Sequence, residues 1–214
     1  MQKITFIFIA LVFFGFVFLA SCNNENNTFE IRATDIQRQG EGSIFTVKAK
    51  NHNGVVLAET MFWNNAFTLH IPNRLRNSLL APMREELPNM GIRRNVRDTA
   101  LFFYAYDIRG RQIGFFIFKC KQQEHRNNRV EAHWVYVNRD VIVVGTEKNE
   151  GNEEWSAYYF EVDLDLQRGW NLAYTTWKTD YLLTLTTQKP SEVTFNWVFV
   201  SRYCLCCGTT RIFR

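Results

Sequence analysis

From Phe29 onward the chain alternates apolar and polar side chains, and this period of two recurs in segment after segment. Phe29, Ile31 and Ala33 face one way, and Glu30, Arg32 and Thr34 the other. Successive strand side chains point to opposite faces, so the pattern predicts a half-buried strand rather than a helix. Gln39-Gly40-Glu41-Gly42 turns the chain, and Phe45, Val47 and Ala49 alternate with Thr46, Lys48 and Lys50. Asn51-His52-Asn53-Gly54 is a second turn, ending in an Asn-Gly pair that tolerates positive φ. Val55 to Trp63 and Ala66 to Ile71 predict a further hairpin across Asn64-Asn65. Four strands before Pro72 set the class.

Pro72 interrupts that run. Leu75, Leu79, Met83 and Leu87 then fall four apart, which predicts a short helical insertion around 73–90, broken at Pro82. Thr99 to Asp107 and Ile113 to Phe118 are apolar on both faces, as strands covered on both sides must be. Val130 to Tyr136, Val141 to Val144, Tyr158 to Leu166, Leu172 to Trp177, Tyr181 to Thr187 and Val193 to Val200 complete the set. Ten or more short strands separated by turns predict an all-β chain, an antiparallel β-sandwich.

Before the first strand lies a different composition. One charge, Lys3, precedes the apolar run Ile4 to Leu19, and the small residues Ala20 and Ser21 lead to Cys22. A basic head, an apolar core and small residues at the end are the layout of a secretory signal. The run is shorter than the ~20 residues of a membrane-spanning helix. Leu19-Ala20-Ser21-Cys22 resembles the lipobox of bacterial lipoproteins. The resemblance implies cleavage between Ser21 and Cys22 and a diacylglyceryl group on the Cys22 thiol. Two or three acyl chains would then hold the chain to the membrane. In Gram-negative members Asp after the lipidated Cys retains the protein at the inner membrane, so Asn23 here implies the outer one. Asn23 to Asn27 holds nothing that packs and reads as a tether. The expected organisation is therefore signal 1–21, tether 22–27, ectodomain 28–203 and a Cys-containing tail 204–214. Two β units, 28–71 and 98–203, joined by the Arg-rich connection, are the alternative division.

The net charge of +4 is too mild to imply a polyanion, so nucleic acid is not an expected partner. Its distribution is uneven. Eight arginines lie between Asn73 and Arg111, whereas Glu147 to Gln167 holds seven acids and only Lys148. Arg93, Arg94 and Arg97 are thus expected to form a basic rim for lipid phosphate, acidic glycan or an acidic partner. With Cys22 lipidated, Cys120, Cys204, Cys206 and Cys207 remain, and export permits disulfides among them. Cys204-Leu-Cys206-Cys207 lacks the second ligand pair of a zinc site, and Cys120 sits in an apolar strand as an inert thiol.

No Gly-x-Ser-x-Gly, His-Glu-x-x-His or phosphate loop is present, so no catalytic residue, metal or cofactor is implied. Glu131 and His133 share a strand face, and the expectation is a solvent-facing pair. Glu161, Asp163 and Asp165 read as another solvated face. The six tryptophans are the stronger lead, because exposed indoles stack on sugar rings; Trp170 and Trp177 are the candidate binding pair. The segment Val162 to Asn171, with its Leu-x-x-Gly-Trp-Asn pattern, resembles a hairpin recurring in lipoproteins of Gram-negative anaerobes. Lys189-Pro190-Ser191 before Phe195-Asn196-Trp197 does likewise. This resemblance implies an exported β family and no activity. The functional expectation is a lipid-anchored binding protein of the envelope, taking a glycan or a protein. A purely structural envelope lipoprotein and an exported hydrolase are the rivals.

Overall fold

The computed structural model describes residues 28–83, 96–121, 129–149, 158–179 and 182–202. The strands in chain order are β1 (Thr28–Ala33), β2 (Gln37–Gln39), β3 (Thr46–Asn51), β4 (Val56–Met61), β5 (Phe67–Pro72), β6 (Ala81–Pro82) and β7 (Arg97–Tyr106). They continue with β8 (Gln112–Cys120), β9 (Arg129–Val137), β10 (Val141–Asn149), β11 (Tyr158–Leu166), β12 (Gly169–Trp177), β13 (Leu182–Thr186) and β14 (Phe195–Ser201). The all-β expectation holds. No helix among the described residues is long and apolar enough to cross a membrane.

A 12-stranded mixed sheet runs β10-β11-β13-β12-β9-β7-β8-β14-β2, with β3, β4 and β6 joined along the other side of β7. β1 and β5 form a separate antiparallel ribbon. β2 and β14, near the two ends of the described residues, therefore share one sheet. β8 follows β7 from Gln112 to Phe116 and then leaves it, while β9 meets β7 only through Val135–Val137. Beyond the split β8 pairs with β9, Phe118 opposite Ala132. The sheet forks at this point, and large rings fill the corner. Trp134 stacks on Trp197 at 5.5 Å between centroids, and Phe103 meets both edge-on.

The β1–β5 ribbon covers this face. Ile31, Ala33, Phe67, Leu69 and Ile71 pack onto Val47, Ala49, Leu101, Phe103, Phe116, Trp197 and Phe199. Each fully buried apolar side chain of this kind contributes roughly 1.5–3 kcal/mol. At the other end of the sheet the core changes sides. Val137, Val141, Val143, Val162, Leu164, Leu166 and Ala173 pack together with Val96 and Met83. That arrangement matches the alternation read from Val162, Leu164 and Leu166 against Glu161, Asp163 and Asp165.

Two local expectations are corrected. The helical insertion is absent from 73–83, where the only helical geometry is a 3-10 turn at Asn77–Leu79 with no side-chain cap. Ala81 and Pro82 instead pair with Asp98 and Arg97. Proline has no N–H to donate within a helix, but at the end of a two-residue edge pairing none is needed. Leu87 lies outside the described residues. The second correction concerns Val162 to Asn171. β11 and β12 do not pair, because β13 inserts between them, parallel to β11.

Candidate functional site

The Leu-x-x-Gly-Trp-Asn pattern turns out to be a structural staple at every specified position. Leu166 is fully buried. Gly169 holds φ at +108°, a region that disfavours side chains. Asn171 closes the turn from both ends: Gln167 N donates to its Oδ1 at 2.9 Å, and its Nδ2 donates to Gln167 O at 2.7 Å. Trp170 donates from Nε1 to Pro72 O at 2.8 Å and packs on Phe29 and Tyr136. This indole rivets the ribbon to the sheet and offers no free platform. Trp177 is half-buried, with the Arg129 guanidinium lying 4.3 Å from its ring centre. The structure does not bring the two tryptophans together as a binding pair.

Arg97, expected in a basic rim, begins β7. Its backbone N donates to Asn138 Oδ1 at 2.9 Å, and its guanidinium to Asn77 O at 2.9 Å. It ties two turns to the sheet. Arg93, Arg94, Trp155, Cys22 and the tail cysteines lie outside the described residues. Cys120 is buried with a free thiol, as its apolar strand predicts.

The solvent-facing reading of Glu131 and His133 is overturned: Glu131 is 7% exposed. β9 lies inside the sheet between β12 and the β7–β8 fork, so this stretch has no open flank. Arg129 Nη2 lies 3.0 Å from Glu131 Oε1, His133 Nε2 lies 3.8 Å from Oε2, and Lys119 stands opposite on β8. Burial raises the Glu131 pKa, opposed by Arg129 and Lys119. Burial, reinforced by Arg129, lowers that of His133 to about 4. The imidazole is therefore neutral at pH 7. The cluster has no nucleophile set against a base, and among the described residues no three His, Cys, Asp or Glu side chains converge to hold a metal ion.

The His133 shift has a measurable consequence. The unfolded chain protonates this imidazole near its ordinary value while the folded chain resists until about 4. Between these values the unfolded state binds the extra proton, so the His133 contribution to stability falls as pH drops through that window. Glu131, raised in the fold, acts in the opposite direction. His133→Gln is expected to flatten the loss of stability between pH 6.5 and 4, checked by urea unfolding across pH. An unchanged slope would show that the imidazole does not control it.

The exposed apolar residues gather elsewhere. Phe45 N donates to Tyr106 O at 2.8 Å, and Phe62 N donates to Phe45 O at 2.9 Å, which sets three neighbouring strand ends level. Beyond that row project two hairpin tips, about 10 Å apart at two strand spacings. One is Trp63 to Ala66, turned by Asn64 and Asn65 at φ 48° and 57°. The other is Asp107 to Arg111, fixed by the Asp107 carboxylate. That group accepts from Arg109 N and Arg111 N at 2.9 Å and from Arg111 Nε at 2.8 Å, bonds that hold its pKa below the ordinary carboxylate range. Trp63 is 81% exposed and Ile108 77%, with Met61 and Phe45 also exposed beside them. Neither Trp63 nor Ile108 was singled out as a binding residue by the alternation. The signal lay in what they interrupt, since each apolar side chain sits in or beside a turn of Asn, Asp, Arg or Gly.

The tips also have a definite orientation. Along the ribbon Ala33 pairs with Phe67 next to the Trp63 turn, and Thr28 pairs with Pro72 at the other end. Thr28 thus lies about 17 Å further from the tips than Ala33, at roughly 3.4 Å per residue. No protein-family model, curated protein or solved structure matches the chain.

Proposed function

We propose that this chain is a lipid-anchored protein of the bacterial envelope, held through Cys22 at the outer membrane, whose β-sandwich ectodomain binds a protein partner at its membrane-distal tip. The observation that carries this reading is the pair of apolar hairpin tips at the end of the fold away from Thr28. Five residues, Asn23 to Asn27, separate the lipidation site from that strand end, so an anchor there leaves Trp63 and Ile108 pointing outward. Apolar residues on two adjacent rigid turns suit the buried anchors of a protein interface, which centre on aromatic and aliphatic side chains with Arg nearby. Arg109 supplies that last element.

A glycan platform would need two or more exposed Trp or Tyr rings on one concave face. Among the described residues the exposed rings of that type are Trp63, on the tip, and Tyr159, on β11. This favours protein over glycan. A hydrolase would need free carboxylates converging in a pocket, whereas Glu131 is bound to Arg129.

A photoreactive residue in place of Trp63 or Ile108, in the full chain in intact cells, tests the tip, and an alkynyl fatty acid tests the anchor. The expected result is one discrete cross-linked protein from both positions and none from Tyr159, with label lost in Cys22→Ala. Label retained by Cys22→Ala sinks the anchor. Equal cross-linking from all three positions sinks the tip.

A further inference from the structure

β10 ends the main sheet, and its outer edge has no pairing strand among the described residues. Its inner edge is matched to β11 over nine consecutive residues without a bulge. Edge strands in natural proteins are normally blunted by proline, by a bulge, by charge or by brevity. Val141 to Thr146, reading Val-Ile-Val-Val-Gly-Thr, has none of these. On the inner face Val141 and Val143 are buried in the core, whereas Ile142 and Val144 on the opposite face are 63% and 54% exposed. The result is an extended edge, uncharged from Val141 to Thr146 and charged only beyond it at Glu147 and Lys148, with an apolar row beside it.

We infer that β10 pairs antiparallel with β10 of a second copy of this chain, joining two sheets across a two-fold axis at Val143. The occupant follows from self-complementarity. With Val143 on the axis, Ile142 of each copy lies directly opposite Val144 of the other. All four exposed apolar side chains then cover one another. Shifting the axis to Ile142 would place Val144 opposite Asp140, an apolar residue against a charge. Shifting it to Val144 would place Ile142 opposite Thr146. A two-fold pairing always matches residues of equal parity. The outward N–H and C=O groups of one edge therefore meet those of the other whichever set points outward. Such edge-to-edge addition takes its affinity from main-chain hydrogen bonds and its register from the alternate side chains.

The register gives a specific test on the full chain in detergent, by sedimentation. The parent is expected to form a concentration-dependent dimer, with the amides of Val141 to Thr146 gaining exchange protection as concentration rises. Ile142→Lys and Val144→Glu, both at exposed positions, are each expected to weaken it about tenfold by removing two cross-strand apolar pairs. Mixing the two variants sets the new ammonium opposite the new carboxylate and restores association, while thermal melts confirm that each variant is folded. A parent that stays monomeric, β10 amides whose exchange ignores concentration, or a mixture that fails to recover overturns the inference. So does a monomeric chain that carries another protein's strand on this edge.

Discussion

Gly114→Ala is expected to lower the melting temperature by more than about 8 °C, a loss on the order of 4 kcal/mol or more. A Cβ at this position would lie 2.3 Å from Val200 O and 2.5 Å from the Phe199 ring. Neither neighbour can retreat. Gly114 sits opposite Ala105 on β7 and Ser201 on β14, and Phe199 is fully buried in the main core. Overpacking of this kind forces backbone movement in the sheet, which costs more than a lost methyl group. Gly54 is the control, since its Cβ would meet nothing within 4 Å and only its φ of +78° opposes a side chain. Gly54→Ala should therefore cost about 1 kcal/mol. Circular-dichroism melts of the two variants side by side decide the matter, and equal losses would show that space at Gly114 is not the constraint.

Trp197→Ala should lose about 3–5 kcal/mol, roughly 6–20 °C in melting temperature. This indole is 4% exposed and has four aromatic neighbours: Phe103 at 5.0 Å, Phe118 at 5.1 Å, Phe67 at 5.3 Å and Trp134 at 5.5 Å. It joins the ribbon, the fork and the last strand in one cluster, and truncation opens a cavity that three separate elements would have to close. Trp197→Phe keeps part of the ring packing and should lose less than half as much. The near-ultraviolet dichroism of the stacked Trp134–Trp197 pair should vanish in both. Removing the exposed Trp63 should leave melting unchanged, so a large loss there would mean that the tip is part of the core.

The strands were legible because burial imposes period two, and the segments around Ile31, Val47, Leu69 and Val162 show it without interruption. The fork was not legible. It depends on Phe118 leaving β7 for β9, a choice made by ring packing in space rather than by local pattern. The same reason explains the hidden insertion of β13, since a turn sequence such as Gln167-Arg168-Gly169 specifies a reversal but not which strand fills the gap. The helical stripe misled because Leu75, Leu79 and Met83 satisfy period four, yet the region runs extended where it joins β7. Glu131 and His133 looked solvent-facing because polar residues on an alternating strand usually are. Here Arg129 and Lys119 carry the charge into the buried layer with them. The anchor remains a reading of the sequence, as Cys22 lies outside the described residues.

The pairing of Gln37–Gln39 with Val198–Val200 joins the second of the described strands to the last of them. A chain emerging from its N-terminus can form the β1–β5 ribbon and the β3–β4 pair early, but their apolar faces stay uncovered until Trp197 and Phe199 arrive. Contacts this distant in sequence make folding slow and defer closure until β14 is available. The fold therefore behaves like a drawstring bag, closed only when its last length is pulled through. Such a chain stays open until β14 docks, and a break anywhere before β14 leaves it so.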